Sequence, residues 1–198
     1  MATPVSHFFA YISRLRWIRR WGLMRNAIEE NVATHSWEVA TIAHALALIR
    51  NREFNGQVNA DRIATAALYH DATEVITGDL PTPVKYHSSS MRAAFSTVEH
   101  KAEDELLDLL PSGLRSDFAE YIKESEWPDD TKAIIKAADR LSAWFKCQAE
   151  INAGNTEFEP AAIKIMERLQ VDPLPEVHYF LEVFAPSYSQ PLDHLLGD

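Results

Sequence analysis

Only one cysteine, Cys147, occurs in the 198 residues. An internal disulfide is therefore impossible, a zinc cage built from thiolates is excluded, and a reducing compartment, the cytoplasm, is the expected setting. No run of about 18 apolar residues exists, so no segment is expected to span a membrane. The first residues lack the continuous apolar stretch of a secretory signal. Positive charge is scarce as well. The 19 Lys and Arg against 29 Asp and Glu leave a net charge of −10, which argues against a general affinity for nucleic acid or anionic membrane. Strand-like alternation is missing, and there is no internal repeat or low-complexity tract.

Acids are missing locally. Arg14, Arg16, Arg19, Arg20 and Arg25 precede the first acid, Glu29, so the first 28 residues carry +5 and the remainder −15. The segment superficially resembles a transit peptide. Its aromatic and aliphatic residues read as core anchors, however, which makes it part of the fold. A basic patch in an acidic protein suits one small anion.

What is present is helical periodicity, in a chain that is 46% hydrophobic. Apolar residues recur at spacings of three and four near 4–20, 34–52, 59–76, 88–110, 113–125, 130–152, 157–170 and 174–185. Within the sixth segment Ile134, Ala138, Leu141 and Phe145 form one stripe. Gly, Pro, Asn and Asp clusters punctuate the joins, as in "TGDLPTP" and "WPDD". The expectation is one all-α domain over residues 1–198, a compact multi-helix bundle.

"VATIAHALALI" is apolar almost all round, as a helix in the middle of a bundle would be. His44 lies nine residues after His35, on the opposite side of such a helix at about 100° per residue. His44 reads as a core histidine, and His35, near the helix start, is free to face a site. His70 and Asp71 lie near the end of a second helix, in "AALYHD". Asp139 sits in a third, in the apolar setting "IIKAADRLSAWF", where a carboxylate is rarely buried without a partner. Each residue alone has an ordinary alternative: a polar helix end, an ion pair with Arg140, a capping histidine. Together, two imidazoles and two carboxylates suit Mn, Co, Ni, Fe or Zn better than Ca. Four protein ligands also leave positions open for water and a substrate oxygen.

The order His35…His70-Asp71…Asp139 in an all-α chain resembles the HD-domain superfamily of metal-dependent phosphohydrolases. "SHFFAYISRLRWIRRWGLMRN", "ENVATHSWEVA", "LYHDATEVITGDLPTPVKY", "KAADRLSAW" and "PSYSQPLDHL" are similar to the bacterial 5′-deoxynucleotidases of the YfbR-like group. The likeness covers nearly the whole chain, and the block following the His-Asp pair is its most specific part.

The resemblance implies an HD-type bundle with its metal site between the central helices. His35, His70, Asp71 and Asp139 would hold one divalent transition metal such as Co or Mn, with His35, Asp71 and Asp139 also facing the substrate. Only His87 and His100 lie between Asp71 and Asp139 as further histidines, so one metal is expected. Glu74 falls three and four residues past the pair, on the same helical face. There it would orient or deprotonate the attacking water. Asp79, Leu80, Pro81 and Thr82, on a loop stiffened by Pro81 and Pro83, would contact the nucleotide, and Asp79 is a candidate proton donor to the leaving 5′ oxygen. Arg20 would grip phosphate, with Lys85 as a lesser candidate that reads more simply as a surface lysine. Trp21 would leave no room for a ribose 2′-hydroxyl.

The implied reaction is hydrolysis of deoxyribonucleoside 5′-monophosphates, in a homodimer whose interface could include "VHYFLEVFAPSY". Neither nucleic acid nor membrane is an expected partner. Three rivals remain: an HD phosphohydrolase acting on a nucleoside triphosphate or guanosine tetraphosphate, a cyclic-dinucleotide phosphodiesterase, which would need more metal ligands, and a non-catalytic nucleotide sensor.

Overall fold

The computed structural model describes residues 5–85 and 87–195. In chain order its helices are α1 (Phe8–Ile12), α2 (Val32–Glu53), α3 (Ala60–Tyr69), α4 (Glu74–Thr77), α5 (Thr82–Lys85), α6 (Ser89–Asp108), α7 (Ser112–Ile122), α8 (Asp129–Asn152), α9 (Glu159–Gln170), α10 (Pro175–Val183) and α11 (Leu192–Leu195). Short 3₁₀ turns cover Ser13–Trp17, Glu124–Glu126, Thr156–Phe158 and Ala185–Ser189. Apart from one isolated antiparallel bridge, Arg19 to Asn31, extended pairing is absent among the described residues. The all-α expectation holds.

Helix α2 is the central rod and packs on α3, α8 and α10. Its start is set chemically. Asn31 Oδ1 accepts the Thr34 backbone N–H at 3.0 Å, and Thr34 Oγ1 accepts the Asn31 N–H at 3.3 Å, a reciprocal cap that is typically worth about 1 kcal/mol. His35 therefore comes in the first turn of α2. On α8 the stripe Ile134, Ala138, Leu141 and Phe145 is buried, as its spacing predicts. It joins Val39, Leu46, Ile63 and Phe180 in the main core. A second cluster forms around Phe8, Leu106 and Ile122, and a third around Cys147, Phe158 and Ala162.

Three expectations need correcting. The segment 4–20 is not one helix: α1 gives way to a 3₁₀ turn, and Ile18 is extended. The chain then runs beside the start of α2, with Arg20 N–H donating to Glu30 O at 3.0 Å and Val32 N–H to Ile18 O at 3.0 Å. The segment 59–76 is also broken, after Tyr69. His70 Nδ1 lies 2.7 Å from Ala67 O, where it takes up a carbonyl of the helix ladder, and the next turn tightens into i to i+3 bonds such as Ala72 N–H to Tyr69 O. His44 is not a core histidine: its side chain is 42% exposed and lies 3.5 Å from Asp61.

Candidate metal and substrate site

His35 enters the site from the first turn of α2, His70 and Asp71 from the break after α3, and Asp139 from the third turn of α8. His35 Nε2 lies 3.1 Å from Asp139 Oδ1 and 3.6 Å from Asp71 Oδ2, while His70 Nε2 lies 3.2 Å from Asp71 Oδ2. The two imidazole centroids are 5.3 Å apart. His35, His70 and Asp71 each present one ligand atom within 4.8 Å of the others. Asp139 is outside that tight triad and meets it through His35. The four residues drawn from three separate sequence segments thus come together.

The histidine tautomers explain why this cluster wants a cation. His70 Nδ1 faces a backbone carbonyl, which can only accept, so Nδ1 carries a proton. Its Nε2 and that of His35 are both buried without a hydrogen-bond partner. Two orphaned ring nitrogens beside two carboxylates are costly unless something positive joins them. The electrostatics agree. Burial disfavours a charged His70, but Asp71 outweighs it and pushes the imidazole up to about 9. Burial likewise opposes charge on Asp71, yet His70, then His35 and Arg20, hold that carboxyl far below its usual range. Surroundings that draw a proton to His70 Nε2 would draw a divalent ion there too. The donor set therefore fits a metal.

Arg20 closes the cluster from the N-terminal side. Its Nε donates to Glu30 Oε1 at 2.7 Å and its Nη1 to Asp71 Oδ2 at 3.3 Å, with Nη2 4.0 Å from Asp139. Burial disfavours the charge, but these carboxylates outweigh it and keep the guanidinium firmly protonated. The other early arginines go elsewhere. Arg14 stacks over Trp17, Arg16 bonds Ser13 O, Arg19 pairs with Glu29, and Arg25 pairs with Glu157. Of the five, Arg20 is the one that reaches the carboxylates.

A cavity of about 210 Å³ adjoins this side, lined by Arg20, Trp21, Met24, Asp79, Leu80 and Thr82 among others. Trp21 has φ 58°, a left-handed conformation uncommon for a bulky residue. Such strain persists only where surroundings over-determine it, and it clusters at functional sites. The surroundings here are dense: the indole packs 5.3 Å from Phe158, and Asn26 Nδ2 donates to Trp21 O at 3.3 Å. Opposite, Gly78 at φ 72° ends α4 and turns the chain into Asp79. The stretch after it differs from the expected loop, because Pro81 O accepts the N–H groups of Val84 and Lys85 and starts α5.

Glu74 opens α4, so its nearness to the pair comes through a tight turn rather than a continuous helical face. Its Oε2 is buried without a partner. Burial, then Asp71 and Asp79, push Glu74 up to about 9. Burial also raises Asp79, against Arg20, and Asp71 adds to the rise. Lys85 pairs with Glu99 at 2.8 Å and lies over Phe95, away from the cavity lining. His87 is exposed, and His100 borders a separate polar cavity on the far side of His70.

Three polar residues at the site escaped the sequence reading: Glu30, which holds Arg20, and Glu38 and Ser142, which meet behind His35. The signal for the last two was available, since each falls three residues after a ligand candidate on its own helix.

Known proteins share the sequence family and the fold. The family described as "5′-deoxynucleotidase YfbR-like" matches residues 7–188. A 5′-deoxynucleotidase of Yersinia pestis is 49% identical over 194 residues, covering 98% of each chain. A solved HD-domain phosphohydrolase from Listeria innocua superposes with a TM-score of 0.79 at 25% identity, over 92% of this chain and 88% of that one. A cyanophage S-2L HD phosphohydrolase, solved with dA and one catalytic Zn²⁺, has the same fold, with a TM-score of 0.65 at 19% identity over 92% and 96% of the two chains.

Proposed function

We infer the chemistry of the site from one premise: the chain belongs to the YfbR-like 5′-deoxynucleotidase family. It is a metal-dependent enzyme that hydrolyses deoxyribonucleoside 5′-monophosphates to deoxynucleoside and phosphate. The observation that carries the residue assignment is the pair of buried, unpartnered Nε2 atoms of His35 and His70 beside Asp71 and Asp139. In this reading those four residues hold one divalent transition metal of the Co or Mn type. When bound, such an ion supplies Lewis acidity toward a phosphoryl oxygen and makes water more acidic.

The chain's own groups do the rest. Arg20, fixed by Glu30, presents its guanidinium fork to the phosphate and offsets charge as it develops. Glu74 takes a proton from the attacking water. A carboxyl with so raised a proton affinity is a strong base once ionised, and a cation among Asp71 and Asp139 would draw its pKa back down. As the new P–O bond forms, the P–O5′ bond breaks, and Asp79, raised by burial, hands its proton to the departing O5′. Leu80, Pro81 and Thr82 wall the nucleotide, and Trp21 fills the space a 2′-hydroxyl would need.

A polyphosphate substrate is disfavoured by the arginines. A long anionic chain needs several cations, and Arg14, Arg16, Arg19 and Arg25 have other partners. The sensor reading is disfavoured by Glu74, a buried carboxyl without a hydrogen bond at Oε2, which is costly unless used. A homodimer and a cytoplasmic setting complete the proposal. Among the described residues no helix is long and apolar enough to cross a membrane. Of the C-terminal aromatic segment, Val177, Phe180 and Ala185 belong to the chain's own core, which leaves Val183, Phe184 and Tyr188 at the surface for a partner.

The test is phosphate release from dAMP and AMP by metal-stripped protein, with Co, Mn, Mg or nothing added back. Turnover of dAMP with little of AMP, restored by a transition metal, is the expected result. Equal turnover of both sugars would remove the role given to Trp21, and turnover without metal would remove the ligand assignment.

A further inference from the structure

The most informative unassigned group lies behind the ligands, where α2 meets α8. Ser142 is fully buried, three residues past Asp139, and Glu38 follows His35 by three. The Ser142 hydroxyl donates to Glu38 Oε2 at 2.6 Å, within the range of a bond to an ionised carboxylate. His35 Nδ1 lies 3.2 Å from the same hydroxyl oxygen. A hydroxyl has one proton to give. With that proton committed to Glu38, Ser142 can only accept from His35, so the His35 proton must sit on Nδ1. Its Nε2, 3.1 Å from Asp139 and 3.6 Å from Asp71, is then the nitrogen left to face a cation. Glu30 Oε1, at 3.6 Å, is too distant to set the tautomer and already accepts from Arg20.

We propose that Ser142 and Glu38 are positioning residues that hold His35 in its Nδ1–H tautomer, ready to bind a divalent metal through Nε2. The two ligand histidines reach the same state by different means: His70 through the carbonyl of Ala67, His35 through a side-chain relay. The backbone device survives any point mutation of its acceptor's side chain, whereas the relay can be cut. Outer partners of metal-binding histidines commonly govern affinity by 10- to 100-fold. The inference rests on the reading of His35 as a ligand, so the experiment includes that residue.

Cobalt binding to metal-stripped protein would be measured by calorimetry for wild type, Ser142→Ala, Glu38→Leu, Glu38→Gln and His35→Ala. Circular dichroism would confirm folding of each. Ser142→Ala and Glu38→Leu should each raise the cobalt Kd by about 10- to 100-fold. Glu38→Gln keeps an acceptor oxygen and should recover most of that loss. In the zinc-loaded wild type, long-range ¹⁵N–¹H spectra should show the His35 ring proton on Nδ1, assigned by its absence in His35→Ala, and Ser142→Ala should speed its exchange with solvent. An unchanged Kd in folded Ser142→Ala, with affinity lost in His35→Ala, overturns the relay alone. Full affinity in His35→Ala overturns the ligand assignment beneath it. Where Ser142→Ala fails to fold, Glu38→Leu against Glu38→Gln and the wild-type tautomer decide the matter.

Discussion

Replacing Glu150 with glutamine tests how the substrate side of the site is held in place. Glu150 is fully buried near the end of α8. Its carboxylate accepts the backbone N–H of Ala27 at 2.8 Å and of Ile28 at 3.0 Å, the Asn155 amide at 2.8 Å, and a bond from Lys146. Lys146 also donates to Ile28 O, and Asn155 to Arg25 O. This knot ties the 25–28 stretch, just past Arg20 and Trp21, onto α8. Burial opposes the Glu150 charge, but the bond from Lys146 and the three N–H donors outweigh it and bring the carboxyl down to about 2. Each tenfold change in proton affinity is about 1.4 kcal/mol, so the charged form is favoured over a neutral one by about 2–3 kcal/mol once solvent screening is allowed for. Glutamine resembles the neutral form. A loss of that size lowers Tm by about 4–12 °C in a protein of this length. Because the folded value lies below the ordinary 4.5, the contribution is whole above that range and disappears as pH falls toward 2. Thermal unfolding of both proteins from neutral to acid pH should therefore show a gap that is constant above about pH 5 and closes below it. The variant should also raise KM for dAMP more than it lowers kcat, since Arg20 and Trp21 lose their anchor. A gap under about 1 kcal/mol, or one that persists unchanged in acid, would refute the reasoning.

Glu74→Gln should lower kcat by about 10²–10⁴-fold while leaving cobalt affinity nearly unchanged, measured by phosphate release and calorimetry. Arg20→Lys keeps the charge but loses the fork held by Glu30, so kcat/KM for dAMP should drop by at least about tenfold. Trp21→Ala should bring the dAMP and AMP rates toward parity, chiefly by improving AMP, and an unchanged ratio would place sugar discrimination elsewhere.

The segments that became α2, α6, α8 and α9 were legible because local pattern and packing demand agree there: α2 is apolar almost all round and central, and the stripe of α8 faces the core. Where a side chain competes with the backbone, pattern failed: nothing in the apolar rhythm of 59–76 reveals that His70 takes up the Ala67 carbonyl and breaks the helix. The departure of residues 18–21 from helical geometry has a similar cause, since their partners Glu30 and Asn31 lie ten or more residues away. His44 shows the reverse error, an apolar neighbourhood in sequence whose side chain is half-open in space and lies beside Asp61.

Residue types and their order were enough to nominate His35, His70, Asp71 and Asp139, because metal chemistry restricts which side chains can serve. Their resemblance to a family added Glu74, Asp79, Arg20 and Trp21. Folding alone decided that the Nε2 atoms of His35 and His70 are buried beside the carboxylates, which of five arginines reaches Asp71, and that Trp21 is held in a strained backbone state. Those are properties of contacts between distant segments, some more than a hundred residues apart. One-dimensional spacing holds no information about such contacts until α2, α3 and α8 are packed together.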